Sequence, residues 1–423
     1  MSGLKQLSPL SQAGVWALRL TVGAVFVLSG FAKADDLWGF VFKIEEYLQV
    51  WGIVQPRSLV IAAAMFIASF EFIAGVMLAA GCYRRTVVWL LTLMMGVMLP
   101  LTAYIWAADP VSDCGCFGEM LRLSNAATFF KNVALMAALV VLLIYNRRVG
   151  CLFGPYIQWL VLLVVSVYVS VVAFIGYTVQ PMVDFRPFPV GTDLGGLLAE
   201  EDEAEAVAEF EFVYEKDGVR HAYDIGSLPD STWTFVERRV VAGKVDNRPE
   251  LVVTDHDEDV SAYVVEPEGG TLLVVIPEYD RADVSFTYLV NELADRVKNS
   301  GGSVVAIIGA GGRQAAEWTD LSMADYPVYS ADPTQLKELV RGAISLVWLR
   351  DGVIQWKRTA ASIDADYVEA SAADDAVLDS LALEGAARLW QITFVVLAVL
   401  AVLFMLDRSG RLLKWRRQLR RQA

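Results

Sequence analysis

Six stretches of the chain consist almost entirely of apolar residues, and each is about as long as a helix that crosses the ~30 Å hydrocarbon core of a bilayer. With 56% apolar residues, the 423-residue chain exceeds what a soluble domain needs. The pattern therefore predicts six transmembrane helices. They lie near Gly14–Phe31, Leu59–Ala80, Val87–Ala108, Ala126–Tyr145, Ile157–Val179 and Trp390–Leu406.

Basic residues mark one side of these helices. Arg84-Arg85 lies between the second and third spans, Arg147-Arg148 lies between the fourth and fifth, and seven basic residues follow the sixth. The positive-inside rule makes these three sites cytoplasmic. Both termini are then cytoplasmic, and three connections face the exterior: Asp35–Arg57, Asp109–Asn125 and the long segment Gln180–Ala387.

The first apolar run imitates a secretory signal peptide, because Lys5 precedes it and Ala32-Lys33-Ala34 follows it. We expect this run to remain as a transmembrane helix. It is longer than a usual signal core, and it contains Arg19.

Charge divides the chain into two parts. Residues 182–388 carry 40 acidic and 17 basic side chains, a net charge of −23, whereas the rest carries 18 basic and 9 acidic side chains, a net charge of +9. A strongly acidic exterior segment excludes nucleic acid as its partner, and the asymmetry places the two parts in different compartments.

The four cysteines separate by predicted side. Cys82 and Cys151 flank the cytoplasmic arginine pairs, where thiols stay reduced, whereas Cys114 and Cys116 face an oxidising exterior. Only the second pair is a candidate redox dithiol. Two thiolates are half a zinc site, so we predict no metal there.

The candidate dithiol lies in the run Asp113-Cys114-Gly115-Cys116-Phe117-Gly118, between the third and fourth spans. A bridge between cysteines two positions apart needs a sharp turn, which glycine tolerates. Such a ring is strained and easily reduced, as catalytic disulfides are. A static bridge and two free thiols that pin the loop remain equally good interpretations.

Two charged residues fall inside the apolar spans. Glu71 lies near the middle of the second span, where an unpaired carboxylate costs roughly 2.5–3.5 kcal/mol. Arg19 in the first span has a side chain long enough to reach it. We therefore predict a buried Arg19–Glu71 contact; the alternative is an Arg19 that extends to the lipid head groups and a protonated Glu71.

These features together resemble the DoxX family, in particular its MauE-like branch. The resemblance covers about the first 150 residues, and it rests on Leu18-Arg19-Leu20, Ser29-Gly30 with Lys33, Glu71 followed by Gly75 and a basic turn, and Cys114-Gly115-Cys116-Phe117-Gly118. It implies a four-helix membrane bundle that helps periplasmic proteins acquire disulfides beside a thioredoxin-like partner.

The same resemblance implies roles for individual residues. Cys114 and Cys116 would be the redox pair, and Glu71 would face the bundle interior. Some relatives accompany quinone-linked sulfur oxidation, so a quinone is implied by the family alone. The sequence itself identifies no cofactor.

The exterior segment begins with a β-rich pattern. Phe210–Tyr214 and Val219–Tyr223 flank Asp217-Gly218, which predicts a β-hairpin. Glu200–Glu209 is predicted to be a solvated helix or a linker. The acidic run Asp255–Asp259 is a weaker candidate for a cation site than for a charged linker.

From Thr271 the pattern becomes βαβ followed by αββ, which is similar to the thioredoxin fold. The region Pro277–Arg281, where a thioredoxin would carry Cys-x-x-Cys, has no cysteine, so the shape is expected without the chemistry. Gly309–Gly312 lacks the G-x-G-x-x-G spacing of a dinucleotide site, and we expect no helix to begin there.

The sequence thus predicts an α-helical polytopic membrane protein with an extracytoplasmic α/β domain and a small β-rich module. The predicted order is a DoxX/MauE-like four-helix domain (1–150), a fifth transmembrane helix (151–180), the β-rich module (181–260), a thioredoxin-like domain (261–388), and a sixth transmembrane helix with a basic cytoplasmic tail (389–423).

The predicted function is thiol–disulfide exchange or electron transfer at Cys114 and Cys116 in a bacterial inner membrane, in support of envelope protein maturation. Expected partners are membrane lipid and a periplasmic thioredoxin-like protein or envelope client. The alternative is a non-enzymatic scaffold whose exterior domain binds envelope proteins. A transporter is disfavoured, because Arg19 and Glu71 are among few polar groups in the spans.

Overall fold

The computed structural model describes residues 8–111, 114–198, 209–216, 219–224, 234–242, 251–256, 258–265, 268–371 and 376–422. The chain divides into two compact units. Met1–Phe185 and Leu383–Ala423 form the membrane unit, and Arg186–Ala382 forms the α/β unit. Each unit has its own core.

The membrane unit contains six helices that are long and apolar enough to cross a bilayer, so the predicted spans are confirmed. This is the architecture of a multi-pass membrane protein. The helices are α1 (Pro9–Asp35), α3 (Arg57–Ala80), α4 (Arg84–Ala108), α5 (Asn125–Tyr145), α6 (Gln158–Thr178) and α13 (Gly385–Gln422).

Local sequence explains several helix ends. Ser8 caps α1 by accepting the Ser11 N–H, with Pro9 in the first turn, and Ser124 caps α5 by accepting the Ala127 N–H. Helix α3 ends at Gly81, whose φ of 69° favours glycine.

A shorter helix, α2 (Leu37–Val50), occupies the connection between α1 and α3, where the sequence analysis predicted only a loop. Its buried Leu37 and Val41 pack against Val60 and Ala64 of α3. Helix α2 matters for the site because it presents Lys43 and Tyr47 to the cysteine loop.

Helices α1 and α3 run antiparallel and approach closely through glycines. A Cβ atom on Gly30 would lie 2.3 Å from the Phe72 nitrogen, and one on Gly75 would lie 2.7 Å from the Val27 nitrogen. Small residues allow helix backbones in a membrane to touch in this way. This contact places Ser29 and Lys33 of α1 beside Glu71 of α3.

The α/β unit is built on a seven-stranded sheet of order β10-β9-β6-β7-β8-β4-β5. Its centre, β6-β7-β8, is parallel, and β9 runs antiparallel to β6. The strands are β4 (Val253–Asp255), β5 (Glu258–Asp259), β6 (Gly270–Ile276), β7 (Ser303–Ile308), β8 (Val328–Ala331), β9 (Ser345–Arg350) and β10 (Val353–Thr359).

Helices cover both faces of this sheet, which explains why its central strands are continuously apolar. Leu272 and Val274 of β6 face one core, and Leu273 and Val275 face the other. The helices of the unit are α7 (residues 194–198), α8 (Thr287–Asn299), α9 (Gly312–Ser322), α10 (Pro333–Leu339), α11 (Ala365–Ala370) and α12 (Ala376–Ser380).

A separate three-stranded sheet, of order β2-β1-β3, comprises β1 (Glu209–Lys216), β2 (Val219–Asp224) and β3 (Thr234–Ala242). Strands β1 and β2 pair antiparallel with Lys216 opposite Val219, so the predicted hairpin pairing is confirmed. Its turn, Asp217-Gly218, and residues 200–208 of the predicted helix or linker lie outside the described residues.

The structure corrects three predictions for the α/β unit. Strands β4 and β5 belong to the seven-stranded sheet, so residue 260 does not divide two modules, and Asp255 pairs with Glu258 in a strand rather than lying in a linker. Helix α9 begins at Gly312, where no helix was expected. Strand β8 was not predicted, because four half-buried residues give a weak periodic signal.

Candidate dithiol site

The cysteine loop folds as a tight turn in its described part, which begins at Cys114. Gly115 and Gly118 both have positive φ, 64° and 53°, and the Gly118 N–H donates to the Gly115 carbonyl at 3.1 Å. This turn brings the sulfurs of Cys114 and Cys116 to 3.0 Å. A disulfide bond measures about 2.05 Å, so the pair is a dithiol here.

Both thiols are buried. Cys114 is 7% exposed and Cys116 is 9% exposed, and they pack with Phe117 and the end of α4 at Ile105. The aliphatic stem of Lys43 covers Gly115 so closely that a Cβ there would lie 2.7 Å from the Lys43 Cγ. A protein partner reaches these sulfurs only if the loop opens.

Side chains from outside the loop hold the carbonyl of each cysteine. The Tyr47 hydroxyl of α2 donates to the Cys114 carbonyl at 2.8 Å, and Ser29 Oγ of α1 lies 2.7 Å from the Cys116 carbonyl. At the entrance to the loop, Asn125 Nδ2 donates to the Val111 carbonyl and to Asp109. The loop is therefore fastened to α1, α2 and α5.

Next to Ser29 lies a buried ion pair. Lys33 Nζ is 2.6 Å from Glu71 Oε2, and both side chains are at most 4% exposed. Ser29 Oγ is 2.7 Å from the same carboxylate oxygen and 3.0 Å from Lys33 Nζ. Ser29 therefore contacts the ion pair and the cysteine loop at once.

The predicted Arg19–Glu71 contact is wrong. Arg19 is fully buried, and its guanidinium donates to the carbonyls of Leu78, Ala79 and Gly150 at 2.8–3.4 Å. The reason is the antiparallel register of α1 and α3, which sets Arg19 beside the C-terminal end of α3. Glu71 lies farther along α3 and meets Lys33 instead.

The electrostatic surroundings make the two cysteines unequal. The thiol hydrogen bond from Cys114 lowers the pKa of Cys116 to about 6 despite burial, with help from the charges of Lys131 and Lys33; Glu71 opposes them. Donating that hydrogen bond, together with burial, raises the pKa of Cys114. These effects favour the anion on Cys116 and the protonated thiol on Cys114.

The other two cysteines lie elsewhere in the membrane unit. Cys82 follows α3 and is buried, which raises the pKa of its thiol to about 12, and Cys151 is half-buried. The pKa of Cys82 leaves it protonated and unreactive at neutral pH.

Sequence reasoning missed the direct roles of Ser29, Lys33, Tyr47 and Lys131. A signal was present for two of them, because Ser29 and Lys33 stand four positions apart on one face of α1. Lys131 also stands out as a cation inside the fourth apolar run, and its Nζ lies 4.5 Å above the Phe117 ring. No sequence pattern joined Tyr47 to the loop.

Two family models match parts of the chain. Residues 11–145 match the family model of methylamine utilisation protein MauE, and residues 208–242 match a domain of unknown function (DUF8463). No curated protein and no solved structure matches the chain. The first match supports a MauE-like membrane protein, and the matched residues include Lys33, Glu71, Cys114 and Cys116.

Proposed function

We propose that this protein is a membrane-bound component of thiol–disulfide exchange, with Cys114 and Cys116 as its redox pair. The match to MauE suggests a membrane protein that serves methylamine-utilisation maturation. The observation that carries the proposal is the pair of sulfurs at 3.0 Å, of which Cys116 has a pKa lowered to about 6. Low-pKa thiolates are the nucleophiles of exchange.

In the proposed reaction, the Cys116 thiolate attacks one sulfur of a partner's disulfide. A mixed disulfide forms, and the partner's other sulfur leaves as a thiolate. Cys114 then loses its proton, its sulfur attacks that of Cys116, and the partner's second thiolate leaves. Two electrons pass from this dithiol to the partner, which takes up two protons, one released by Cys114 and one from the solvent. The reverse sequence oxidises a partner dithiol.

The geometry supports separate roles for the two cysteines. Cys116 begins the exchange because Lys33 and Lys131 favour its anion. Cys114 resolves the mixed disulfide, because its thiol already contacts the Cys116 sulfur. The bridge that closes would span three residues around Gly115, and strained bridges of this kind are readily reduced.

For the α/β unit we propose a thioredoxin-like shape that serves docking. Strands β10-β9-β6-β7, with β9 antiparallel to its neighbours, follow the strand order of that fold. All four cysteines of the chain precede residue 152, so this unit has no thiol for exchange. The arginine pairs between the spans favour cytoplasmic termini and an extracytoplasmic location for this unit. Its acidic character agrees with that location, because basic residues concentrate on the cytoplasmic side.

The redox state of Cys114 and Cys116 tests the proposal. Membranes would be equilibrated against glutathione buffers of set potential, quenched with acid and labelled with a mass tag. We expect a bridge that titrates near −200 mV or above, within the range of working oxidoreductases. A pair that stays oxidised under strong reductant, or never oxidises, would contradict the proposal.

A scaffold is the second candidate, and the burial of both thiols favours it, because neither exceeds 9% exposure. The double substitution Cys114→Ser/Cys116→Ser separates the two candidates. Loss of client disulfides in cells supports exchange. Full complementation at equal protein abundance supports the scaffold.

A further inference from the structure

The Ser29 hydroxyl has one hydrogen and two short contacts that need it. Its oxygen lies 2.7 Å from Glu71 Oε2 and 2.7 Å from the Cys116 carbonyl oxygen. Both oxygens are acceptors when Glu71 is ionised, and a hydroxyl donates only one hydrogen bond. Lys33 Nζ donates to Ser29 Oγ and to Glu71 Oε2. Neither bond places a hydrogen between Ser29 Oγ and the Cys116 carbonyl oxygen.

A proton on Glu71 removes this conflict without moving any carbon, nitrogen or oxygen atom. The carboxyl O–H then donates to Ser29 Oγ, and Ser29 donates to the Cys116 carbonyl. The hydroxyl oxygen has two lone pairs, which accept from Glu71 and from Lys33. When Glu71 is ionised, the Ser29 hydrogen turns to the carboxylate, and the Cys116 carbonyl loses its donor.

We propose that Ser29, Lys33 and Glu71 are positioning residues of the dithiol exchange: the charge of Glu71 decides whether Ser29 holds the Cys116 carbonyl, and thereby how readily the buried sulfurs open. The importance of this device rests on the proposed function, but the geometry that supports it does not. A neutral Glu71 holds the loop, and an ionised Glu71 releases it.

The surrounding charges connect this device to the reaction. While Cys116 is a thiolate, its charge and the Glu71 carboxylate both interact with Lys33. Forming the mixed disulfide removes the charge from Cys116. Lys33 is then left to Glu71 alone at the step in which Cys114 must move to attack.

The charged and titratable groups that face the cluster come from every element around it. They are Lys33 on α1, Cys116 and Cys114 in the loop, Lys131 on α5, Lys43 and Tyr47 on α2, and Tyr168 on α6, whose ring lies 5.5 Å from the Phe72 ring. Substitution therefore tests the device more cleanly than a pH change alone.

The test is the rate of alkylation of the reduced, full-length protein in lipid nanodiscs by iodoacetamide, measured against pH. The midpoint of the profile reports the thiolate pKa, and the plateau reports how often the loop opens. For Ser29→Ala we expect a plateau about tenfold higher, which corresponds to about 1.4 kcal/mol. The midpoint should stay in place, since Ser29 contacts the carbonyl and not the sulfur.

Glu71→Gln should change the plateau in the opposite direction. Its amide carries no charge, and its oxygen accepts from Lys33 Nζ in place of Oε2. An amide oxygen attracts the Ser29 hydrogen less than a carboxylate does, so that hydrogen stays on the Cys116 carbonyl and the plateau falls severalfold. The midpoint should also fall, because the Glu71 charge raises the pKa of Cys116. A merely structural role would raise the plateau in both variants.

Two variants serve as controls. Ser29→Thr keeps the hydroxyl and should leave the plateau near that of the wild type. Thr92→Ala removes a hydroxyl that bonds within α4, to the Val88 carbonyl, and should change neither quantity. If Ser29→Ala fails to fold, Glu71→Gln decides alone, since a lower plateau is not a sign of lost structure.

A Ser29→Ala plateau equal to that of the wild type, or a Glu71→Gln plateau above it, would overturn the inference. The outcome is separable from the proposed function. If the pair never cycles in cells but the two plateaus move as stated, the exchange proposal fails and the device remains. If the pair cycles and the plateaus do not move, only the device fails.

Discussion

Two buried cations on α1, Arg19 and Lys33, have different kinds of hydrogen-bond partner. They stand 14 positions apart, about 21 Å along a helix. Arg19 donates to the backbone carbonyls of Leu78, Ala79 and Gly150, whereas Lys33 pairs with one carboxylate. The planar guanidinium suits several fixed acceptors, and the ammonium acts as a point charge.

The two buried cations of α1 therefore have different tasks. Arg19 donates to two carbonyls in the last turn of α3, where the helix dipole favours a cation, and to the Gly150 carbonyl, which is a structural task. The Lys33–Glu71 pair lies beside the cysteine loop and contacts it through Ser29. A charge buried in a membrane span is thus a candidate functional group only after its partner is known.

The largest effect is expected at the ion pair. Glu71→Leu leaves Lys33 in a buried site without its carboxylate, and removal of one partner of such a pair costs about 3–5 kcal/mol. The measurement is chemical unfolding in detergent. The double variant Lys33→Met/Glu71→Leu should recover most of the loss, and equal losses in both variants would show that the pairing is unimportant.

The next effect is expected at the other cation. Arg19→Met removes the donors to the Leu78, Ala79 and Gly150 carbonyls, and we expect a cost of about 1.5–3 kcal/mol. Amide hydrogen exchange should accelerate around residues 77–82 and 150–152. The dithiol alkylation rate should not change; a change would mean that the two regions are coupled.

A comparable or smaller effect is expected where α1 and α3 touch. Gly30→Ala puts a methyl group against the backbone of Phe72, and overpacking of this kind costs about 1–3 kcal/mol. Gly14→Ala is the matched control on the same helix, because no atom lies within 4 Å of its added Cβ. Thermal unfolding should separate the two variants, and identical midpoints would refute the close approach.

The smallest effect is expected from Lys131. Its charge favours the Cys116 thiolate, so Lys131→Met should raise the pKa of Cys116, and the alkylation profile should move to higher pH by less than one unit. Below the midpoint the rate therefore falls. The exposed Arg122, paired with Glu119, is the control, and Arg122→Met should leave the profile unmoved.

Periodicity predicted the elements well and their neighbours poorly. The six spans, the hairpin pairing of β1 with β2, and the strands from β6 to β10 other than β8 follow from runs of apolar residues, whose length and spacing are local properties. The partner of Glu71 depends on the register between α1 and α3. Close backbone contacts at Gly23, Gly30 and Gly75 set that register. The register depends on packing along the whole of both helices, which a local sequence pattern does not contain.

The loop was located from sequence, but its surroundings were not. Cys114-Gly115-Cys116 identified the turn, whereas the groups that hold it come from α1, α2 and α5, at distances of up to 87 positions along the chain. Helix α9 was missed because it begins at Gly312, a residue that usually marks a break.

The glycine contact between α1 and α3 also limits the routes of access to the dithiol. Backbone atoms of the two helices approach so closely at Gly30 that even one added methyl group would overlap the Phe72 nitrogen. An acyl chain or another lipophilic molecule cannot pass through that seam. A compound that reaches Cys116 from within the bilayer must therefore enter on another side of the bundle.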